Sequence, residues 1–124
     1  MTRFLTVTAA LALLAAPAFA EMAPMTAQSS AGEILTDMQG MSLYTFDKDT
    51  KGMSMCEGDC LAKWPAATAG AEDKPSGDYD IITRADGTRQ WTYKGMPLYT
   101  WVKDATAGDV TGDGVGGVWH LARP

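Results

Sequence analysis

The chain repeats itself. A shift of 55 residues (87 − 32) lays Gly32 on Gly87, Gly40 on Gly95, Met41 on Met96 and Leu43 on Leu98, without a gap. Tyr44, Thr45, Lys48 and Asp49 fall on Tyr99, Thr100, Lys103 and Asp104, and Trp64 falls on Trp119. The aromatic two residues after each tyrosine, Phe46 or Trp101, recurs as a type. Register held over that distance implies that each half is one supersecondary unit and that the two bury a shared core. It also suggests approximate two-fold symmetry.

Local signals make those units mostly β. Glu33–Asp37 and Met41–Phe46 are rich in β-forming residues, and Gln39-Gly40 between them reads as a turn. Asp59 is placed to cap a short helix near 59–64, which Pro65 would stop. Ala66–Asp78, with its Ala, Gly, Pro and charge, reads as the link between halves. Strands are expected at Tyr79–Arg84, Thr88–Tyr93, Leu98–Val102 and Val118–Ala122, with a hairpin turn at Ala85-Asp86-Gly87. The expected fold is therefore one small, mostly β domain over 32–124. Repeat one spans 32–69 and repeat two 87–124, with a linker and an extra strand at 70–86.

Residues two apart in a strand share a face. Leu43 and Thr45 then oppose Tyr44 and Phe46, and Leu98 and Thr100 oppose Tyr99 and Trp101. The aromatics are expected in the core with Trp64 and Trp119. Asp49 and Asp104, just past the strand ends, suit acceptance of backbone N–H groups from the following loop. The competing role for this motif is a ligand-facing carboxylate beside an aromatic shelf.

These residues resemble a known family, the secreted repeats with a Tyr-x-aromatic-x-x-Asp motif, predicted lipoproteins of unknown function. The resemblance rests on Leu43-Tyr44-Thr45-Phe46 with Asp49 and on Cys56-x-Gly58-x-Cys60-Leu61-Ala62-x-Trp64-Pro65. It continues through Thr83-Arg84-x-Asp86-Gly87, Gln90-x-Thr92-Tyr93-x-Gly95-x-Pro97-Leu98-Tyr99 and Gly117-Val118-Trp119-His120. It implies a small exported β domain, with no settled activity and no established catalytic residue.

The first twenty residues read as a signal peptide. Arg3 precedes an apolar run from Phe4 to Ala16, and Ala18-Phe19-Ala20 is a small-x-small cleavage site. The run is short for a spanning helix, which needs about 20 residues. The lipidated cysteine of lipoproteins is absent, since the two cysteines are Cys56 and Cys60. The expectation is an exported, periplasmic or extracellular, soluble protein with no membrane anchor. Residues 21–31, small and polar, read as a flexible leader. Loss of Arg3 leaves a net charge of 9 − 15 = −6, which argues against nucleic acid or an anionic lipid surface as partner.

In an exported protein Cys56 and Cys60 form a disulfide by default. The second half has Thr111 and Val115 at those positions, so the repeat itself does not need the bridge. The alternative is a redox pair or a soft-metal site: Met53, Met55, Cys56 and Cys60, with the sole histidine His120, offer ligands that suit Cu(I). Asp47–Gly58 lacks the bidentate acid of a calcium loop at its twelfth position. Asp104, Asp109 and Asp113, among glycines, read as a tight-turn loop before they read as a weak Ca²⁺ site. The chain contains no nucleophile elbow, zinc-protease helix or phosphate loop, and one histidine has no placed nucleophile. The leading expectation is a non-enzymatic binding or interaction module, and the runner-up is a copper or redox protein.

Overall fold

A computed structural model describes residues 23–124. The expected signal peptide, together with Glu21 and Met22, lies outside the described residues. The described chain runs β1 (Met25–Ser29), β2 (Gly32–Thr36), β3 (Tyr44–Phe46), α1 (Asp59–Lys63), β4 (Tyr79–Thr83), β5 (Arg89–Tyr93), β6 (Met96–Pro97), a 3-10 turn (Val115–Gly117) and β7 (Trp119–Leu121). All strand pairs are antiparallel: β1 with β2, β3 with β7, and β5 with both β4 and β6.

Three readings of the sequence need correction. The leader is not featureless, because Met25–Ser29 pairs along its whole length with Gly32–Thr36. This strand carries four exposed residues and no alternation, so nothing in its hydropathy announces it. The β1–β2 hairpin is the counterpart of β4–β5, whose strands begin 54 (79 − 25) and 57 (89 − 32) residues later around a longer turn, so the strand assigned to the linker belongs to the repeat. Asp59 is the first helical residue rather than the cap. Gly58, at φ 59, holds the cap position with no side-chain bond, and Trp64 closes the helix on Cys60 O.

The halves are interlocked. Each contributes its last segment to the other's sheet. Tyr44, Thr45 and Phe46 pair with Leu121, His120 and Trp119. In mirror fashion Thr100 N donates to Pro65 O at 2.8 Å, Val102 N to Lys63 O at 3.1 Å and Ala67 N to Leu98 O at 2.9 Å. Residues Ala66–Ala69, read from sequence as the start of a link, are thus bridged to the second half at Tyr99 and Gln90. Pro65 stands where the other half has His120 and has no N–H to give. The expected strand Leu98–Val102 is consequently reduced to isolated bridges at Tyr99, and Val102 already belongs to a turn. The pseudo-two-fold axis passes between Tyr44 and Tyr99, whose N–H and C=O groups bond each other at 2.8 and 3.0 Å.

The strand alternation sorts two cores. Leu43 and Leu98 join Leu35, Ala67, Trp91 and Ala122 on one side. Tyr44, Phe46, Tyr99 and Trp101 join Ile34, Trp64, Trp119 and Leu121 on the other. Each indole there removes about 150–250 Å² from water, worth about 4–6 kcal/mol in transfer free energy.

Gly112 sits where no side chain fits. A Cβ built on it would lie 2.9 Å from both the Trp64 ring and the Tyr44 ring. Gly112→Ala is expected to cost about 1–3 kcal/mol through overpacking. A urea midpoint equal to that of wild type would contradict this account.

Candidate functional site

The repeated motif builds a reciprocal pair of buried hydrogen bonds. Tyr44 Oη donates to Asp104 Oδ2 at 2.7 Å, and Tyr99 Oη donates to Asp49 Oδ2 at 2.6 Å. Each tyrosine therefore reaches the aspartate of the other half. The second carboxylate oxygen holds the following loop: Asp49 Oδ1 accepts Met55 N at 2.6 Å, and Asp104 Oδ1 accepts Thr111 N at 2.9 Å and Thr111 Oγ1 at 2.6 Å. Both phenols are fully buried, and that desolvation, with the carboxylate beside each, pushes them well above the ordinary tyrosine range. Burial also raises Asp49, while the bonds from Tyr99 and Met55 oppose the rise.

Between these pairs lies a four-ring stack. Phe46 stacks on Trp119 at 4.2 Å, Trp119 on Trp64 at 3.8 Å, and Trp64 on Trp101 at 4.0 Å. Tyr44 meets Trp64 edge-on at 5.3 Å, and Tyr99 meets Trp119 edge-on at 5.1 Å. The order is symmetric about the Trp64–Trp119 contact, as the repeat requires.

One side of this frame carries groups the other lacks. Cys56 and Cys60 are joined, with Cα atoms 5.2 Å apart. The bridge ties the Met53–Met55 loop to α1. Ser54 Oγ lies 2.5 Å from Tyr99 Oη and accepts from Arg84 Nη1 at 2.7 Å. Arg84 also donates to Gln90 Oε1 at 2.8 Å and to Cys56 O at 2.6 Å. With Tyr99 committed to Asp49, Ser54 is the donor to the phenol. The result is a directed chain from Arg84 through Ser54 and Tyr99 to Asp49.

The same loop walls a cleft of about 390 Å³, lined by Met53, Ser54 and Met55 on one side and Ile82, Arg84 and Ala85 on the other. Met53 and Met55 are each 58% exposed. The soft-metal set suggested by the sequence is not assembled as a whole. The cysteine sulfurs are joined to each other, and His120 Nε2 is bonded to Asp47 Oδ2 at 2.8 Å. Among the described residues no group of three His, Cys, Asp or Glu side chains is arranged to hold a metal ion. The acids of the Gly-rich loop are occupied locally. Asp109 accepts from the backbone of Ala105 and Thr106, and Asp113 accepts from Leu121 N.

Sequence reasoning passed over the Arg84–Ser54–Gln90 network as chemistry. Its signal was the breaking of the repeat, since these polar residues stand opposite Ser29, Asp109 and Leu35.

Two copies of one family model match the chain, at residues 25–68 and 80–123: the secreted repeat of unknown function. The chain belongs to this family. The matched ranges begin at β1 and at β4, in agreement with the hairpin that opens each structural repeat. Comparison with curated proteins and with solved structures returned no match. Family membership places the chain among exported proteins. No helix among the described residues is long and apolar enough to cross a membrane.

Proposed function

We propose that this protein is a periplasmic or extracellular binding module that engages its ligand at the cleft between the Met53–Met55 loop and Ile82–Ala85. The carrying observation is the pair of exposed methionines on a loop held rigid from beneath. Asp49 bonds Met55 N, Arg84 bonds Cys56 O, and the disulfide ties the loop to α1. Thioether side chains adapt to varied apolar surfaces. A rigid scaffold that presents them keeps the entropy cost of binding low. The motif residues Tyr44, Phe46, Asp49, Trp64, Tyr99, Trp101, Asp104 and Trp119 serve this reading as its frame.

Selection from a random-peptide display library against the full chain tests it. Selected peptides should lose binding to Met53→Ala/Met55→Ala while the variant keeps wild-type near-UV circular dichroism. Undiminished binding to that variant would remove the cleft from the account.

A second reading has its own support, because Met53 and Met55 lie two apart and line one cleft. Thioethers select Cu(I). A competition titration with Cu(I) should then show submicromolar binding that Met53→Ala and Met55→Ala each abolish. Absence of binding leaves the peptide or protein ligand alone.

A further inference from the structure

The aromatic stack has a property beyond packing. Three indoles lie in unbroken contact, Trp119–Trp64–Trp101, at centroid separations of 3.8 and 4.0 Å. An indole that loses an electron carries a positive charge, and the negative faces of neighbouring rings stabilise a cation. At Trp101 the Lys103 ammonium, 5.8 Å from the ring centroid, disfavours that charge. The charge is therefore driven inward to Trp64 and Trp119, the two indoles that tyrosines touch edge-on.

A phenol surrenders an electron readily only when its proton has somewhere to go. Here each phenol already points its O–H at a buried carboxylate, 2.7 Å away at Asp104 and 2.6 Å at Asp49. Those are distances at which a proton passes along an existing bond. Both halves repeat the arrangement, so two proton-coupled donors flank one stack.

We propose that the stack and its two Tyr–Asp pairs form a sink for diffusible one-electron oxidants of the azidyl-radical class. The oxidant X• takes an electron from the stack and leaves as X⁻. Tyr44 or Tyr99 refills the stack with one electron and passes its phenolic proton to Asp104 or Asp49. The balance is X• + Tyr–OH + Asp–COO⁻ → X⁻ + Tyr–O• + Asp–COOH. The unpaired electron then rests on a tyrosine that is fully buried. This activity is independent of the cleft and of any ligand bound there.

Pulse radiolysis of the full chain, with azidyl radical as oxidant, tests the proposal. A Tyr79→Phe/Tyr93→Phe background leaves Tyr44 and Tyr99 as the only phenols. In that protein tryptophanyl absorption should decay as tyrosyl absorption rises, at a rate that does not change with protein concentration. Asp49→Asn and Asp104→Asn keep the side-chain shape but remove the base; each should lower the rate by about half, because the other pair still drains the stack, and the double variant should slow it by about 100-fold. Near-UV circular dichroism verifies that the stack survives in every variant. Conversion that depends on protein concentration, or fails to occur in the folded background protein, overturns the proposal. So does a rate that neither Asn substitution alters. If both Asn variants fail to fold, the background protein alone decides.

Discussion

As pH rises above about 10 the protein is expected to lose stability with a slope that approaches about 2.7 kcal/mol per pH unit from its two buried motif tyrosines, and Tyr44→Phe or Tyr99→Phe to remove about 1.4 of that slope. The cause is the reciprocal Tyr–Asp pair. Both phenols are buried against a carboxylate and titrate well above their unfolded value. A raised folded value means that the folded state holds its protons after the unfolded chain has released them. The sign follows: the contribution is fully present below the unfolded value and is lost as pH rises beyond it. By about pH 12 the two tyrosines together remove about 5 kcal/mol, comparable with the whole stability of a small domain. Tyr79, partly buried and also raised by burial, adds a smaller share that both variants leave in place. Urea unfolding followed by far-UV circular dichroism between pH 9 and 12 measures the slope. Identical slopes in wild type and Tyr99→Phe would sink the explanation. Asp49 acts at the acid end with the same sign. Burial raises its folded value, so its share of stability is greatest below the ordinary carboxylate range and falls as pH rises through the folded value.

The repeat makes the core legible in the sequence. Strand alternation alone puts Leu43 and Leu98 on one face and Tyr44, Phe46, Tyr99 and Trp101 on the other, and the two cores follow that division. What the sequence left hidden has physical reasons. Strand β1 is held by backbone bonds to β2 and buries almost nothing, so hydropathy is silent about it. The partner of each C-terminal segment was equally hidden. A repeat states that two units are alike, and it does not state whether a segment pairs within its unit or crosses to the other. The crossed Tyr–Asp bonds follow from that exchange. Arg84 and Gln90 were legible as residues that break the repeat, but their convergence on Ser54 needs the loop fold that the disulfide and Asp49 impose.

Neither half is expected to fold without the other. Cutting the chain between Lys74 and Pro75, an exposed stretch of the linker, separates the repeats without touching a strand. The fragment 23–74 then keeps the β1–β2 hairpin, the helix and the disulfide. It loses the partner strand of β3, which is β7, and the bond from Leu35 N to Ala122 O. The fragment 75–124 keeps β4–β5–β6 but loses the cover of Ala66–Ala69 over Leu98 and Trp91. The one stack of rings is also divided, since Phe46 and Trp64 alternate with Trp119 and Trp101. An isolated hairpin is marginal in water, and about 50 residues rarely bury enough surface to compensate. Each fragment alone should therefore show no near-UV circular dichroism. An equimolar mixture should recover the signal of the intact chain, with a midpoint that rises with concentration. Folding of either fragment as a monomer would contradict the exchange of strands. A mixture that stays unfolded would show that the covalent link, and not only the exchange, is needed to bring the two tyrosines together.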